Sequence, residues 1–245
     1  MYRLMLYFLL ALWLAAILFG FTKVLLYNPF DILASGLFLI AICNITNYLF
    51  SKVLGARTKP ESASITAVIL TLIVGPFPLL ENLPVLTFIG VASMASKYIF
   101  AIRKKHIFNP AAAGVFLSAV LLNAGASWWI GNIPTLLFII LGGLLILAKI
   151  KRFGLALGFL AVYFLSTNLF PAPPVWFFVF VMLVEPLTSP AAKNKQVIFG
   201  GFVALVYFLL PKIIPGYGYG LETALLAGNL LNAALSVWVR FSSQI

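Results

Sequence analysis

The chain has 245 residues, 63% of them hydrophobic and only 9% charged, with a formal net charge of +11. A soluble domain carries roughly 25% charged residues, so a water-facing globule is excluded and lipid must be the main solvent. The positive excess fits basic residues that hold helix ends at an inner membrane face, and nucleic-acid binding is not expected.

A helix needs about 20 predominantly apolar residues to cross a bilayer. Residues 4–21 form the first such run. Its apolar stretch is about twice a secretion-signal core and no small-x-small cleavage site follows, so it reads as a retained span. Further runs lie at 32–50, 63–80, 84–101, 110–124, 130–149, 153–170, 174–186, 196–214 and 221–239. The single cysteine, Cys43, sits inside the second run, which excludes an intrachain disulfide, a cysteine-held iron–sulfur cluster and a zinc ribbon. The fifth run starts straight after a His-Ile-Phe-Asn-Pro turn, and the eighth is cut short by Glu185-Pro186. The expected fold is therefore an all-α polytopic membrane protein of about ten transmembrane helices, forming a single integral membrane domain over residues 1–245.

Charge orients these runs. With the N-terminus inside, the inner segments hold Arg3, Lys52, Arg57, Lys59, Arg103, Lys104, Lys105, Lys149, Lys151, Arg152, Lys193, Lys195 and Arg240. That is thirteen of the sixteen basic residues, against Lys23 and Lys212 outside. Lys97 lies near the inner end of the fourth run, where it can snorkel. Removing one span would place the later clusters outside, so the bias predicts ten crossings with both termini cytoplasmic, in a cytoplasmic (inner) membrane. Trp128, Trp129 and Trp238 fall near predicted membrane surfaces and read as interfacial anchors.

Ten spans divide into two sets of five that insert with opposite orientation, repeat one over about 1–125 and repeat two over about 126–245. Leu121-Leu122-Asn123-Ala124 in span five matches Leu230-Leu231-Asn232-Ala233 in span ten. Spans three and eight are both proline-broken, at Gly75-Pro76-Phe77-Pro78 and at Glu185-Pro186. Broken helices at corresponding places point to a central site.

Three polar clusters stand out, because buried polar groups are costly in lipid. Glu61-Ser62-Ala63-Ser64-Ile65-Thr66 opens span three. It serves either as a plain helix start or as a hydroxyl-rich terminus for a polar ligand. His106-Ile107-Phe108-Asn109-Pro110 precedes Ala111-Ala112-Ala113-Gly114. Asn109 suits an N-cap and Pro110 the first turn, while the small residues admit a close backbone or a flat ring. His106, the only histidine, is poor evidence for a metal, and no metal site is expected. His106 and Asn109 can instead hydrogen-bond a heterocycle. Glu185-Pro186-Leu187-Thr188-Ser189-Pro190 supplies the only acid at a break between spans, read either as a salt-bridge partner or as an ion-path residue. All three clusters fall on the cytoplasmic side and suggest one site between the halves.

These clusters, in this order and spacing, resemble the NqrB/RnfD family, the flavin-bearing membrane subunits of the sodium-pumping NADH:quinone oxidoreductase and of the Rnf electron-transport complex. The matching stretches are Ser62–Thr66, Lys97–Gly114 with its Phe-Asn-Pro-Ala core, and Glu-Pro-x-Thr-Ser-Pro. Trp128-Trp129-Ile130-Gly131, Leu141-Gly142-Gly143-Leu144 and Ala227-Gly228-Asn229-Leu230 also match. The likeness covers residues 60–240, and its nearest branch is often joined to a ferredoxin-reductase-like domain. The resemblance implies a riboflavin-type flavin near Asn109, with His106 where the family often has another Asn. Ser62, Ser64, Thr66, Thr188 and Ser189 are further cofactor-binding candidates. The family's covalent FMN hangs on a threonine after span five. Gly125-Ala126-Ser127-Trp128-Trp129 has no threonine there, so the flavin, riboflavin or FMN, is expected to be non-covalent. Gly131-Asn132-Ile133-Pro134 likewise lacks the carboxylate that opens the family's span six, which leaves Glu185 as the ion-path candidate. The chain stops at Ile245, just past span ten, so an electron-donating reductase or other complex subunits are expected as partners besides the lipid bilayer. The expected function is a redox subunit of an oxidoreductase complex. The rival readings are a non-redox channel or transporter on the urea and ammonium inverted-repeat plan, and a scaffold subunit of a membrane complex.

Overall fold

The computed structural model describes residues 2–56, 60–102, 105–214 and 220–242, with side chains described as far as residue 236. Arg57, Lys59, Arg103 and Lys104, and the side chains of Trp238 and Arg240, which the orientation argument used, lie outside that description.

Each apolar run forms a helix. In chain order these are α1 (Tyr2–Phe21), α2 (Pro29–Val53), α3 (Pro60–Ile73), α4 (Leu79–Ile99), α5 (Pro110–Leu122), α6 (Ile133–Ile150), α7 (Phe153–Thr167), α8 (Pro173–Phe177), α9 (Lys193–Ile213) and α10 (Gly220–Ser242). α8 runs directly into a π-helical turn, Phe178–Met182. The all-α expectation holds, with one small non-helical addition: β1 (Ala101–Ile102) and β2 (Lys105–His106) pair antiparallel as a hairpin between α4 and α5.

Asparagine starts three of these helices. Asn28, Asn109 and Asn132 each turn a side-chain oxygen back to a first-turn amide, at Phe30, Ala112 and Thr135. A proline sits at N1 or N2 in all three, where its missing N–H costs nothing. This gives Asn132 a structural task as the cap of α6. At the other ends, Asn123, Lys151 and Asn168 take left-handed conformations that stop α5, α6 and α7.

Five helices, α1, α2, α4, α6 and α9, are long and apolar enough to cross a membrane. Their outward faces carry large apolar side chains, such as Leu145 at 67% exposure, and the shorter α7 does the same with Leu157 at 62%. Water would penalise such a surface and lipid does not. This is the construction of a multi-pass membrane protein.

The short elements are central. Every residue from Thr66 to Pro76 and from Phe177 to Val184 is buried. α3 packs against α1, α2 and α5, and the π-helical turn packs against α6 and α7. Long helices surround them. Close packing fixes the ring. A side chain on Gly158 would strike the Val197 carbonyl, and one on Gly200 the Leu155 carbonyl, so α7 and α9 touch backbone to backbone. Gly142 receives Phe8 of α1 and Gly143 receives Phe180 of the π-helical turn.

Among the described residues α2 packs on α4 and α7 on α9, α4 on α5 and α9 on α10, and α1 on α3 and α6 on α8, whereas the packing of α1 on α2 has no comparable counterpart between α6 and α7. α1 also packs on α6 and α5 on α10. The match drawn between Leu121–Ala124 and Leu230–Ala233 does not hold as a structural equivalence. Asn123 terminates α5, whereas Asn232 lies inside α10.

Candidate functional site

The hairpin end of the bundle holds a pocket of about 680 Å³, its open mouth included. The starts of α1, α3 and α5, the end of α6 and the π-helical turn converge there. Ile65, Ile69, Ile146, Ile150 and Val181 make an apolar wall. Ser62, Thr66, Asn109 and Glu185 bring polar atoms to it, and Tyr2 stands at the α1 side.

The wall follows from helix register. Ser62, Ile65, Thr66 and Ile69 recur every three or four residues and share one face of α3. The π-helical turn reaches the pocket through Val181. Its wider winding is a feature often found at functional sites. Leu183 N–H reaches back five residues to the Phe178 carbonyl at 3.0 Å.

Asn109 ties three elements together. Its side-chain oxygen caps α5 at Ala112 N–H (3.1 Å), its amide donates to the Met182 carbonyl (3.4 Å), and its backbone N–H donates to Asn229 Oδ1 of α10 (2.8 Å). Asn229 and Asn232 both donate to the Thr188 carbonyl, at 3.2 and 3.1 Å. The turn after the π-helix is thereby tied to α10 and, through Asn229, to the start of α5.

Glu185 stands where this turn meets the pocket. Its Oε1 lies 3.2 Å from His106 Nε2, and its Oε2 accepts from the Thr188 hydroxyl at 3.2 Å. Glu185 thus meets His106 of β2 at hydrogen-bond distance, a contact that is an ion pair only when the imidazole is protonated. Arg152 anchors the same turn from below α7. It donates to Ser189 Oγ (2.6 Å) and to the carbonyls of Ser189, Pro190 and Pro186. Burial pulls the Arg152 pKa below the ordinary guanidinium value, yet arginine keeps its charge at neutral pH.

Two candidate residues fall away from the pocket. Ser64 sits on the opposite side of α3 and exchanges hydrogen bonds with Asn44 of α2 (3.2 and 3.4 Å). Ser189 donates to the Glu185 carbonyl at 2.6 Å and accepts from Arg152, so its hydroxyl serves the turn. Thr188 stands one step back, on the Glu185 carboxylate. His106 reaches the pocket only through Glu185.

Lys97 has a defined partner: its ammonium donates to the carbonyl and hydroxyl of Ser62 in the first turn of α3, at 3.1 and 3.3 Å. The small residues after Pro110 serve a backbone contact too. A side chain on Gly114 would strike Ser93 and the Ile89 carbonyl of α4. Only Ala111 of that run lines the pocket beside Pro110 and Asn109.

At the opposite end, Trp129 is not an interfacial anchor. It is 4% exposed and donates its indole N–H to the Thr71 carbonyl at 2.8 Å. α3 ends inside the protein, so its last carbonyls need donors that no water supplies. The loop after α5 provides them. Ser127 and Trp128 N–H both donate to the Ile73 carbonyl at 2.9 Å, and Ile130 N–H donates to Leu72. Trp128 takes φ +53° to do so, a left-handed conformation that costs a bulky residue roughly 1–2 kcal/mol. Its indole N–H meets Glu222 of α10 at 3.0 Å. Glu222, 5% exposed, had not been singled out in the sequence, because an acid in a helix's first turn reads as a dipole partner.

No family model matches the chain, and no curated protein is significantly similar to it.

Proposed function

We propose that this protein is an NqrB/RnfD-like membrane subunit for electron transfer, whose pocket holds a flavin non-covalently. The observation that carries the reading is the gathering of Ser62, Thr66, Asn109 and Glu185, from three distant stretches of chain, onto one pocket. Residues and ligand class are compatible. Ile65, Ile69, Ile146 and Val181 suit the two faces of a flat ring. The Ser62 hydroxyl and the Glu185 carboxylate offer a donor and an acceptor to its polar edge.

A bound flavin supplies one- and two-electron redox chemistry. The protein's own part is positional. Asn109 fixes the start of α5 against the π-helical turn. Lys97 holds Ser62 in place and adds a positive charge beside the pocket. Arg152 braces the turn that carries Glu185. A soluble or membrane-bound reductase at the basic end supplies electrons.

The matching order of helix pairs in the two halves supports ten crossings built as two inverted repeats with α3 and α8 as central broken helices. In that arrangement both termini and the pocket face the cytoplasm. The same plan suits a solute transporter. Against an open channel stands the far end of the bundle, where Trp129 and Ile130 are buried over the end of α3.

The test is a visible spectrum of detergent-purified protein before and after denaturation. Flavin absorbance that denaturation releases is the expected result. A colourless protein that takes up riboflavin neither in detergent nor in liposomes overturns the proposal. A fluorescent band that survives denaturing electrophoresis overturns its non-covalent part.

A further inference from the structure

Glu185 is the one carboxylate on the pocket wall, and it touches the chain's single histidine on its other side. His106 is 9% exposed and lies in the hairpin next to exposed Lys105, at the rim of the bundle. The Glu185 side chain is 24% exposed. His106, buried beside exposed Lys105, and Glu185 on the pocket wall are therefore in line with the pocket: imidazole, carboxylate, occupant. Thr188 holds the second carboxylate oxygen, so Glu185 keeps one orientation.

We infer that the His106–Glu185 pair is a proton relay between solvent at the hairpin end and the occupant of the pocket. This rests on the redox reading above and deepens it. It restricts the ligand to a ring that takes up a proton together with its electrons, a property that a pure one-electron carrier lacks.

The physical reason is charge. Electrons delivered into an apolar pocket leave a negative charge that the surroundings solvate poorly, and a proton cancels it. Imidazole is suited to the task because one ring nitrogen gives a proton while the other takes one. The balance is simple. A reduced flavoprotein donor gives up two electrons to the occupant. His106 Nε2 passes its proton to Glu185 Oε1, and Glu185 passes it on to a basic ring nitrogen or oxygen. Water at the surface replaces the proton at Nδ1. The occupant gains two electrons and one proton, the donor loses two electrons, and the solvent loses one proton.

The other charged and titratable groups around the pair come from each neighbouring element. Lys97 of α4 and Tyr2 of α1 both lie within electrostatic range of Glu185. Arg152 holds the turn, and the exposed Arg3–Glu61 pair, 3.9 Å apart, connects the first turns of α1 and α3.

The experiment uses the full chain in detergent and has two arms. In the first, ¹⁵N-histidine labelling gives a single imidazole, followed by NMR across pH without any ligand. Glu185→Gln is expected to displace its titration and to change which ring nitrogen carries the proton. An unchanged titration overturns the relay. In the second, the protein is loaded with riboflavin and reduced by mixing with reduced methyl viologen, a donor that releases no proton on oxidation, and an indicator dye reports proton uptake against the absorbance change that reports electrons. In His106→Ala the ratio of proton rate to electron rate is expected to fall at least tenfold, and millimolar free imidazole to restore it. An unchanged ratio overturns the relay, as does a fallen ratio that imidazole leaves where it is. If riboflavin does not bind at all, the flavin reading fails by itself, and the ligand-free NMR arm still decides whether the pair exchanges a proton as coupled groups.

Discussion

Trp129 shows how one side chain can mislead as a type and be legible as a partner. Tryptophan near a predicted membrane surface reads as an anchor, because the indole favours the headgroup region. Here the indole N–H instead satisfies a carbonyl that α3 leaves open at Thr71. Trp129→Phe keeps most of the volume and removes that donor. The expected loss is about 0.5–2 kcal/mol, the range for an unsatisfied buried group tempered by the smaller values found in membranes. Thermal unfolding in detergent measures it, and an unchanged midpoint would mean that the carbonyl finds another donor. Arg152 makes the converse case. As one basic residue of an inner cluster it looked interchangeable with Lys149 and Lys151, yet it alone is buried on four acceptors. Arg152→Lys should disturb the Glu185 turn because a lysine cannot fork to Ser189 and Pro186 together. The readout is faster proteolysis or hydrogen exchange between residues 185 and 192, with Lys151→Ala unaltered as the reference.

At the scale of elements, α7 and α9 are held by glycine. Gly158 and Gly200 each face a backbone carbonyl of the partner helix with no room for a methyl group, whereas the nearest atom to a side chain on Gly201 is 3.5 Å away. Gly200→Ala is expected to destabilise by about 1–3 kcal/mol through overpacking. Gly201→Ala should be near neutral or slightly stabilising through helix propensity. Equal effects from the two substitutions would contradict the close crossing. The same scale explains what was readable in the short elements. Their proline breaks and poor length were plain in the residues. Their central position was not, because a short helix is equally consistent with a surface re-entrant segment. The asparagine-started helices were readable in full at Asn109, where cap and proline stand side by side.

For the whole molecule, the proposed ten crossings with both termini cytoplasmic can be tested by labelling. In a Cys43→Ser background, cysteines placed at Lys52 and Lys105 should react with an impermeant reagent only from the cytoplasmic side. Cysteines placed at Lys23 and Asn168 should react only from outside. Labelling of Lys105 and Asn168 from the same side would break the ten-crossing arrangement and the inverted repeats together.

Composition and periodicity alone determined that the chain is helical, that several helices are long and apolar enough to cross a membrane, and where its helices lie, because each of these depends on local patterns of apolar residues. They also marked Ser62, Thr66, Asn109 and Glu185, since a polar group in an apolar run needs a reason wherever it sits. Only the tertiary structure decided which of the marked residues meet. Ser62 and Ser64 are two positions apart on one helix, which turns one to the pocket and the other to Asn44. His106 and Glu185 are 79 positions apart and lie within hydrogen-bond distance. Facing and long-range proximity come from how helices cross, and crossing is set by contacts such as Gly200 on Leu155 that no local pattern encodes.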